Sequence, residues 1–125
     1  QRQVVDAFFL ATREGDFDAL VAVLDPAAVY RIDTGANLPA ASMVLHGAEA
    51  IAKQALKGLS SRIARPEVQL HPALVNGAAG VVVTVAGQPM AVIGFSIAGG
   101  KIVEIDSVAD PERVRRIAAA VLSGG

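Results

Sequence analysis

The sequence has 125 residues, with 11 Lys and Arg against 12 Asp and Glu, a net charge of -1 and no cysteine. That length suits one domain able to bury a core without metals or cross-links. The charge balance supplies no basic field for gripping nucleic-acid phosphates, and the missing thiols remove cysteine nucleophiles, cysteine-based zinc sites and disulfides. The hydrophobic share is 53%, above the ~45–50% usual for soluble domains even though that figure also counts glycine. Cover beyond an ordinary core is therefore expected. No apolar run approaches the ~18 residues of a membrane-spanning helix, and no signal segment opens the chain. A cytoplasmic location is the simplest expectation. Gln1 already lies inside a helical pattern and no initiator methionine precedes it, so residues 1–125 read as a single domain excised from a longer chain.

From Val4 to Thr12 the residues Val4, Val5, Phe8, Phe9 and Leu10 recur at spacings of three and four, which predicts an amphipathic helix ended by Gly15. Asp16 caps a second short helix carrying Phe17, Leu20, Val21 and Leu24, which Asp25-Pro26 stops. A strand follows over Ala28 to Asp33, and Thr34 to Asn37 reads as a loop. After His46-Gly47, a third helix spans Ala48 to Leu59, with Gly58 and Ser60-Ser61 at its end. The remainder predicts an antiparallel meander of four strands: Glu67 to Val75, Gly80 to Ala86, Met90 to Ala98 and Lys101 to Val108. Asn76-Gly77 and Gly99-Gly100 are strong hairpin signals between them. Asp110-Pro111-Glu112 then opens a last helix with a cap, a proline at the first helical position and an early acid. The fold class is α+β.

Two-residue loops at Gly87-Gln88 and Gly99-Gly100 pair Ala86 with Pro89 and Ala98 with Lys101. Counted outward, one sheet face carries Val81, Val83, Val92, Ile105 and Ser107. The other carries Val82, Thr84, Ile93, Phe95, Ile97, Glu104 and Asp106. A sheet with one wet face alternates apolar with polar residues, whereas both faces here are apolar through the central strands. Helices can cover one face. The face with Ile93, Phe95 and Ile97 is then expected to form an interface with a partner sheet, another domain or, in the isolated domain, a second copy in a homodimer. A bulge shifts such a count by one residue.

Candidate polar residues are few: Tyr30, Arg31 and Asp33 on the first strand, His46, His71, Glu104 and Asp106. Arg31 and Asp33 are two apart on a strand, so they point the same way and either pair with each other or share a polar ligand. On the count above, Asp106 lies across from Ile93, where apolar neighbours raise a carboxyl pKa toward acid–base use. The alternative is that Glu104 and Asp106 form a salt-bridged or solvated margin. Neither histidine has a second at ligand spacing, so no metal is expected. Gly77, Gly80 and Gly87 sit in hairpins rather than ahead of a helix, so they form no phosphate loop. The sequence supplies no complete catalytic constellation and calls for no cofactor.

The order helix, helix, strand, helix and four-strand meander resembles the SnoaL-like, ketosteroid-isomerase-like group of cone-shaped α+β domains. More specifically, Arg2-Gln3-Val4-Val5-Asp6-Ala7-Phe8, Gly15-Asp16-Phe17-Asp18-Ala19-Leu20 and Gly100-Lys101-Ile102-Val103-Glu104-Ile105-Asp106, followed by Ala109-Asp110-Pro111-Glu112-Arg113-Val114, are similar to the C-terminal domain of one group of extracytoplasmic-function RNA polymerase sigma factors. That group's first strand runs into an Asp-Gly-Gly-Gly-Lys loop, where this chain has Asp33-Thr34-Gly35-Ala36-Asn37, and its last helix follows an Asn-Pro-Asp-Lys-Leu segment, where this chain has Asp110-Pro111-Glu112-Arg113-Val114.

The resemblance implies a curved antiparallel sheet with helices on its concave side. It further implies a noncatalytic domain that packs on the promoter-binding modules of the same sigma factor and, with RNA polymerase, modulates promoter-dependent transcription. Asp33, Thr34, Gly35, Ala36 and Asn37 would form the regulatory contact loop, and a small pocket lined by Tyr30, Arg31 and Asp33 could hold a metabolite. No direct nucleic-acid contact and no membrane contact are expected of this domain. The rival reading is a standalone isomerase, hydrolase or cyclase with Asp33 or Asp106 as general base and Tyr30 as hydrogen-bond donor.

Overall fold

The computed structural model describes residues 2–35, 42–75 and 77–123. The first helix, α1, runs Arg2–Glu14 and buries Val5, Phe8, Phe9, Ala11 and Thr12; of the residues expected on that face Val4 is half-buried, and Leu10 is 55% exposed because the helical period turns position 10 away from Val5 and Phe8. The buried Thr12 hydroxyl donates to the Phe8 carbonyl at 2.8 Å, so it enters the core satisfied. Gly15, at φ +68°, ends the helix. Helix α2, Phe17–Val23, starts at the Asp16 cap, whose side chain accepts from the Ala19 amide at 3.1 Å.

Strand β1 spans Leu24–Asp33 and is followed, beyond the turn, by a short strand β2, Met43–His46, that the periodicity does not announce. The next helix is longer than expected. It begins as α3, Ala48–Gln54, widens through a π-helical turn at Ala55–Leu59, and continues as α4, Ser60–Ile63. Gly58 does not stop it because Ala55 and Ile63 on either side are both buried, at 4% and 6% exposure, and that packing outweighs glycine's low propensity. Strands β3 (Val68–Val75), β4 (Ala78–Val85), β5 (Gln88–Ala98) and β6 (Lys101–Val108) form the meander, and α5, Pro111–Ser123, closes the described chain.

The six strands form one curved sheet in the order β2-β1-β6-β5-β4-β3. It is mixed rather than antiparallel throughout. β1 pairs parallel to β6, from Val29 opposite Glu104 to Asp33 opposite Val108, while every other pair is antiparallel. A parallel neighbour needs a long crossover, and nearly the whole chain between β1 and β6 supplies it.

Two bulges change the face count. The β4–β5 turn is Ala86-Gly87, with φ of +51° and +83°, flanked by Val85 opposite Gln88. This one-residue shift from Gly87-Gln88 is followed by a bulge, because Thr84 faces Pro89 but Val83 faces Ala91. A second bulge lets Ile97 face Ile102 while Ser96 faces Glu104. Val81, Ile93, Phe95 and Ile105 consequently share one face, and Val82 and Val92 share the other.

That result overturns the expected interface. Ile93 and Phe95 are 4% and 1% exposed, and Ile97 packs against the same core. The rings of Phe8, Phe9 and Phe95 meet edge to face, with centroids 5.3–5.8 Å apart. The face assigned to a partner is the face covered by α1 to α4. The opposite face is covered in part by α5, whose Val114 and Ala118 pack on Val82 and Val92. Helices therefore lie on both sides of the sheet, and the apolar second face finds part of its cover within the chain.

Candidate functional site

The three residues expected to line one pocket separate. Along β1, alternate side chains point to opposite faces. Tyr30 lies opposite Ile105 and joins the aromatic core at 9% exposure, whereas Arg31 and Asp33 emerge on the α5 side of the sheet. Burial raises the Tyr30 hydroxyl's pKa, opposed by a hydrogen bond with Ser107 and by the charge of Arg62. The strand period that put Arg31 and Asp33 on one face also denies Tyr30 a place beside them.

Arg31 and Asp33 do not pair with each other either. Arg31 Nη1 lies 2.9 Å from Glu104 Oε1 and 3.5 Å from Asp106 Oδ1, on the neighbouring strand. The parallel register explains the contact, since Arg31 faces Asp106 directly. Asp106 is itself opposite Gly94 on β5, not Ile93, because of the second bulge. Desolvation, and then the adjacent Glu104, hold the Asp106 carboxyl above its ordinary pKa; a hydrogen bond from Asp106, then Arg31, holds Glu104 below its own. This is the salt-bridged margin foreseen as the plainer alternative. All three side chains are 38–48% exposed, so the network is a wet one.

The loop after β1 is the best-organised polar feature of the described residues. Asp33 Oδ1 accepts the Gly35 amide at 2.8 Å, and its Oδ2 accepts from Arg113 Nη1 of α5 at 2.6 Å. The Asp33 carbonyl accepts the Ala109 amide at 2.8 Å, just before α5. Thr34 is held by Ser42, whose hydroxyl oxygen accepts the Thr34 amide at 3.1 Å and lies 3.0 Å from its side-chain oxygen. The Arg113 hydrogen bond, then the Gly35 amide, pulls the Asp33 carboxyl below its usual pKa.

Gly35 has φ +78°, and a Cβ there would come within 2.8 Å of Asp110 Cβ and Cγ. The need for glycine at this position is therefore double: a left-handed backbone and a close approach to the start of α5. Ala36 and Asn37, the rest of the expected contact loop, lie outside the described residues.

The histidines stay apart. His46 ends β2, while His71 Nε2 lies 2.9 Å from the buried Thr84 hydroxyl. Among the described residues, no three His, Asp or Glu side chains gather in a way that could hold a metal. Sequence reasoning missed the Asp33–Arg113 pair, 80 residues apart. Arg2 is a second omission: it donates from Nη1 to the Gly80 carbonyl and from Nη2 to the Ala73 carbonyl, both at 2.8 Å. A long-range bond from a surface-type residue leaves no periodic trace.

No protein-family model matches the sequence, and no curated protein sequence is significantly similar to it. Solved structures do share the architecture. The extracytoplasmic function sigma factor SigJ of Mycobacterium tuberculosis superimposes with a TM-score of 0.67 at 22% identity, covering 90% of this chain and 42% of that one. This chain thus spans less than half of that sigma factor. A ketosteroid-isomerase-like protein from Kribbella flavida DSM 17836 gives 0.58 at 14% identity over 86% of this chain and 75% of that one. An NTF2-like protein of unknown function from Cytophaga hutchinsonii ATCC 33406 gives 0.61 at 16% identity, over 91% and 93%. The fold is therefore NTF2-like, of the SnoaL and ketosteroid-isomerase kind.

Proposed function

We propose that the chain is a noncatalytic regulatory domain of an extracytoplasmic-function sigma factor, acting in the cytoplasm through intramolecular contacts with promoter-binding modules and RNA polymerase. The observation that carries this reading is the Asp33–Gly35 loop. Its carboxylate is fixed by Arg113 and by the Gly35 amide, and its backbone is seated on the start of α5. A loop so held presents a preformed shape to a partner at little ordering cost. The likeness to SigJ over 90% of this chain supports the same context, and the net charge of -1 favours protein contacts over nucleic acid.

The enzyme reading draws support from the isomerase-like neighbour. Against it stands the packing between sheet and helices, where the rings of Phe8, Phe9 and Phe95 lie in mutual contact. Its proposed acids, Asp33 and Asp106, lie on the sheet face opposite Tyr30. The deciding experiment is promoter-dependent transcription by the full-length protein with RNA polymerase. Asp33→Ala and Arg113→Ala are each expected to shift output by about fivefold or more. Unchanged output from both, in folded protein, would reduce the loop to a connector. Turnover of a ketosteroid that vanishes in Asp106→Asn would install the enzyme reading instead.

A further inference from the structure

The helix that runs from α3 through the π turn into α4 gains a residue on the way. At the first junction the Ala55 amide is shared by the Ala52 and Ile51 carbonyls, three and four residues back, as an ordinary helical turn allows. At the second, the Ser60 amide reaches the Ala55 carbonyl, five residues back. Inside the widened turn the Gly58 carbonyl accepts the Ser61 hydroxyl at 3.0 Å. Nothing crowds that glycine, since a Cβ there would meet only Gln54 Nε2, at an ordinary 3.5 Å. Beyond the turn, Ile63 is buried like Ile51 and Ala55, and Arg62 is exposed. A plain α-helix cannot give that pattern. It turns about 100° per residue, so Arg62, about three turns after Ile51, would point the same way as Ile51, and Ile63 would point about 120° away.

We infer that one residue of the Ala55–Leu59 turn is surplus to the helical repeat, and that the π turn is a register device that seats Ile63 rather than Arg62 on the sheet side of the helix. One extra residue taken up in the turn sets everything after it back by about 100°. That brings Ile63 to within about 20° of Ile51 and swings Arg62 out. The other register would drive a guanidinium into the apolar cluster that holds Ile51, Ala55 and Ile63. From its outward position Arg62 still acts on the sheet. Burial raises the Tyr30 hydroxyl's pKa, and the hydrogen bond with Ser107, then the Arg62 charge, oppose that rise. The turn decides which of two neighbouring side chains packs and which reaches Tyr30 only through its field.

The test changes the residue count of the turn in both directions. Deleting Gly58, which carries no side chain, should let the helix run through with four-residue bonds and unchanged faces. Its melting midpoint should stay within about 2 °C of the parent's or exceed it, and amide exchange over residues 55–63 should slow by about tenfold. Inserting one alanine after Gly58 should turn Arg62 inward and Ile63 aside, lowering the midpoint by about 10 °C or more. Exchanging the two residues in that variant, Arg62→Ile with Ile63→Arg, should restore most of the loss. The same exchange in the parent should cost about as much as the insertion does. Tyr30 is the sole tyrosine and tryptophan is absent, so an ultraviolet titration of Tyr30 follows Arg62 independently. Arg62→Gln should raise the titration midpoint, and the Gly58 deletion should leave it where the parent has it. A deletion variant that melts as early as the insertion variant, an insertion without cost, or an exchange that fails to restore it overturns the proposal. A tyrosine midpoint that moves on deletion as it does in Arg62→Gln does the same.

Discussion

Asp33 and Arg113 sit 80 residues apart in sequence and 2.6 Å apart in space, and their bond ties the end of β1 to the first turn of α5. The same carboxylate also accepts the Gly35 amide. The folded pKa of Asp33 is depressed by these partners, so its contribution is fully present above the unfolded value of about 3.9 and is lost as pH falls through the lower folded value. Asp33→Asn should therefore lose less thermal midpoint than the parent between about pH 4 and pH 2, while starting lower at pH 7. Arg113→Ala should lower the midpoint at pH 7 as well, and the double variant should fall short of the sum. Thermal melts across that range check it, and parallel profiles for parent and Asp33→Asn would sink the assignment.

Gly35 and Gly99 both have positive φ, +78° and +60°, but only Gly35 has a neighbour against which a Cβ would press. Gly99→Ala should cost about 1 kcal/mol for the backbone alone. Gly35→Ala should cost more, by about 1 kcal/mol or above, because the Asp110 side chain begins at its rigid Cβ. Urea titration of the two variants gives the difference directly. Equal costs would mean that the loop is not seated on α5.

Phe95 belongs to the core, between Phe8 and Phe9. Phe95→Ala should lose about 3–5 kcal/mol of stability, a large share of the ~5–15 kcal/mol typical of a whole domain. Phe95→Asp should not fold, since an unpaired carboxylate would enter an apolar cluster. A well-folded monomeric Phe95→Asp protein in sedimentation and circular dichroism would restore the face to the surface role expected from the simple register.

The sequence read well where local chemistry and burial agree. Val5, Phe8 and Phe9 of the α1 stripe, the Asp16 cap, the Gly99-Gly100 hairpin and the span of β6 emerge as expected, while Leu10 turns out to solvent. It failed where one residue decides a face. Both bulges lie in strands so rich in valine and isoleucine that either register looks apolar, and nothing local marks Thr84 or Ser96 as the place where the count slips. Strand β2 was missed because its four residues are too few for alternation to show. Of the candidate site, the Asp33 and Gly35 positions were legible from the motif resemblance. Their attachment to Arg113 and Asp110 was not, because contacts across the sheet edge depend on the parallel β1–β6 pairing.

Glu104 and Asp106 share Arg31, at 2.9 and 3.5 Å. Asp106 is held above its ordinary pKa by desolvation and by Glu104, so the folded protein binds that proton more tightly than the unfolded chain does. By linkage, this site's contribution is greatest at low pH and declines as pH rises through the interval between the unfolded and the raised folded value. Asp106→Asn keeps the shape, removes the like charge beside Glu104, and leaves Arg31 its closer partner at 2.9 Å. The variant should match the parent well below pH 4 and become the more stable of the two as pH rises to 7. Solvent at the partly exposed network limits the gain to a fraction of ~1 kcal/mol, or about 1–3 °C. Glu104→Gln should act in the opposite direction at neutral pH, because it removes the carboxylate that makes the closer contact with Arg31, at 2.9 Å. Melts at a series of pH values separate the cases. An Asp106→Asn protein that is less stable than the parent at pH 7 would show that the ionised Asp106–Arg31 contact at 3.5 Å outweighs the repulsion from Glu104, and the division of roles between the two carboxylates would have to be reversed.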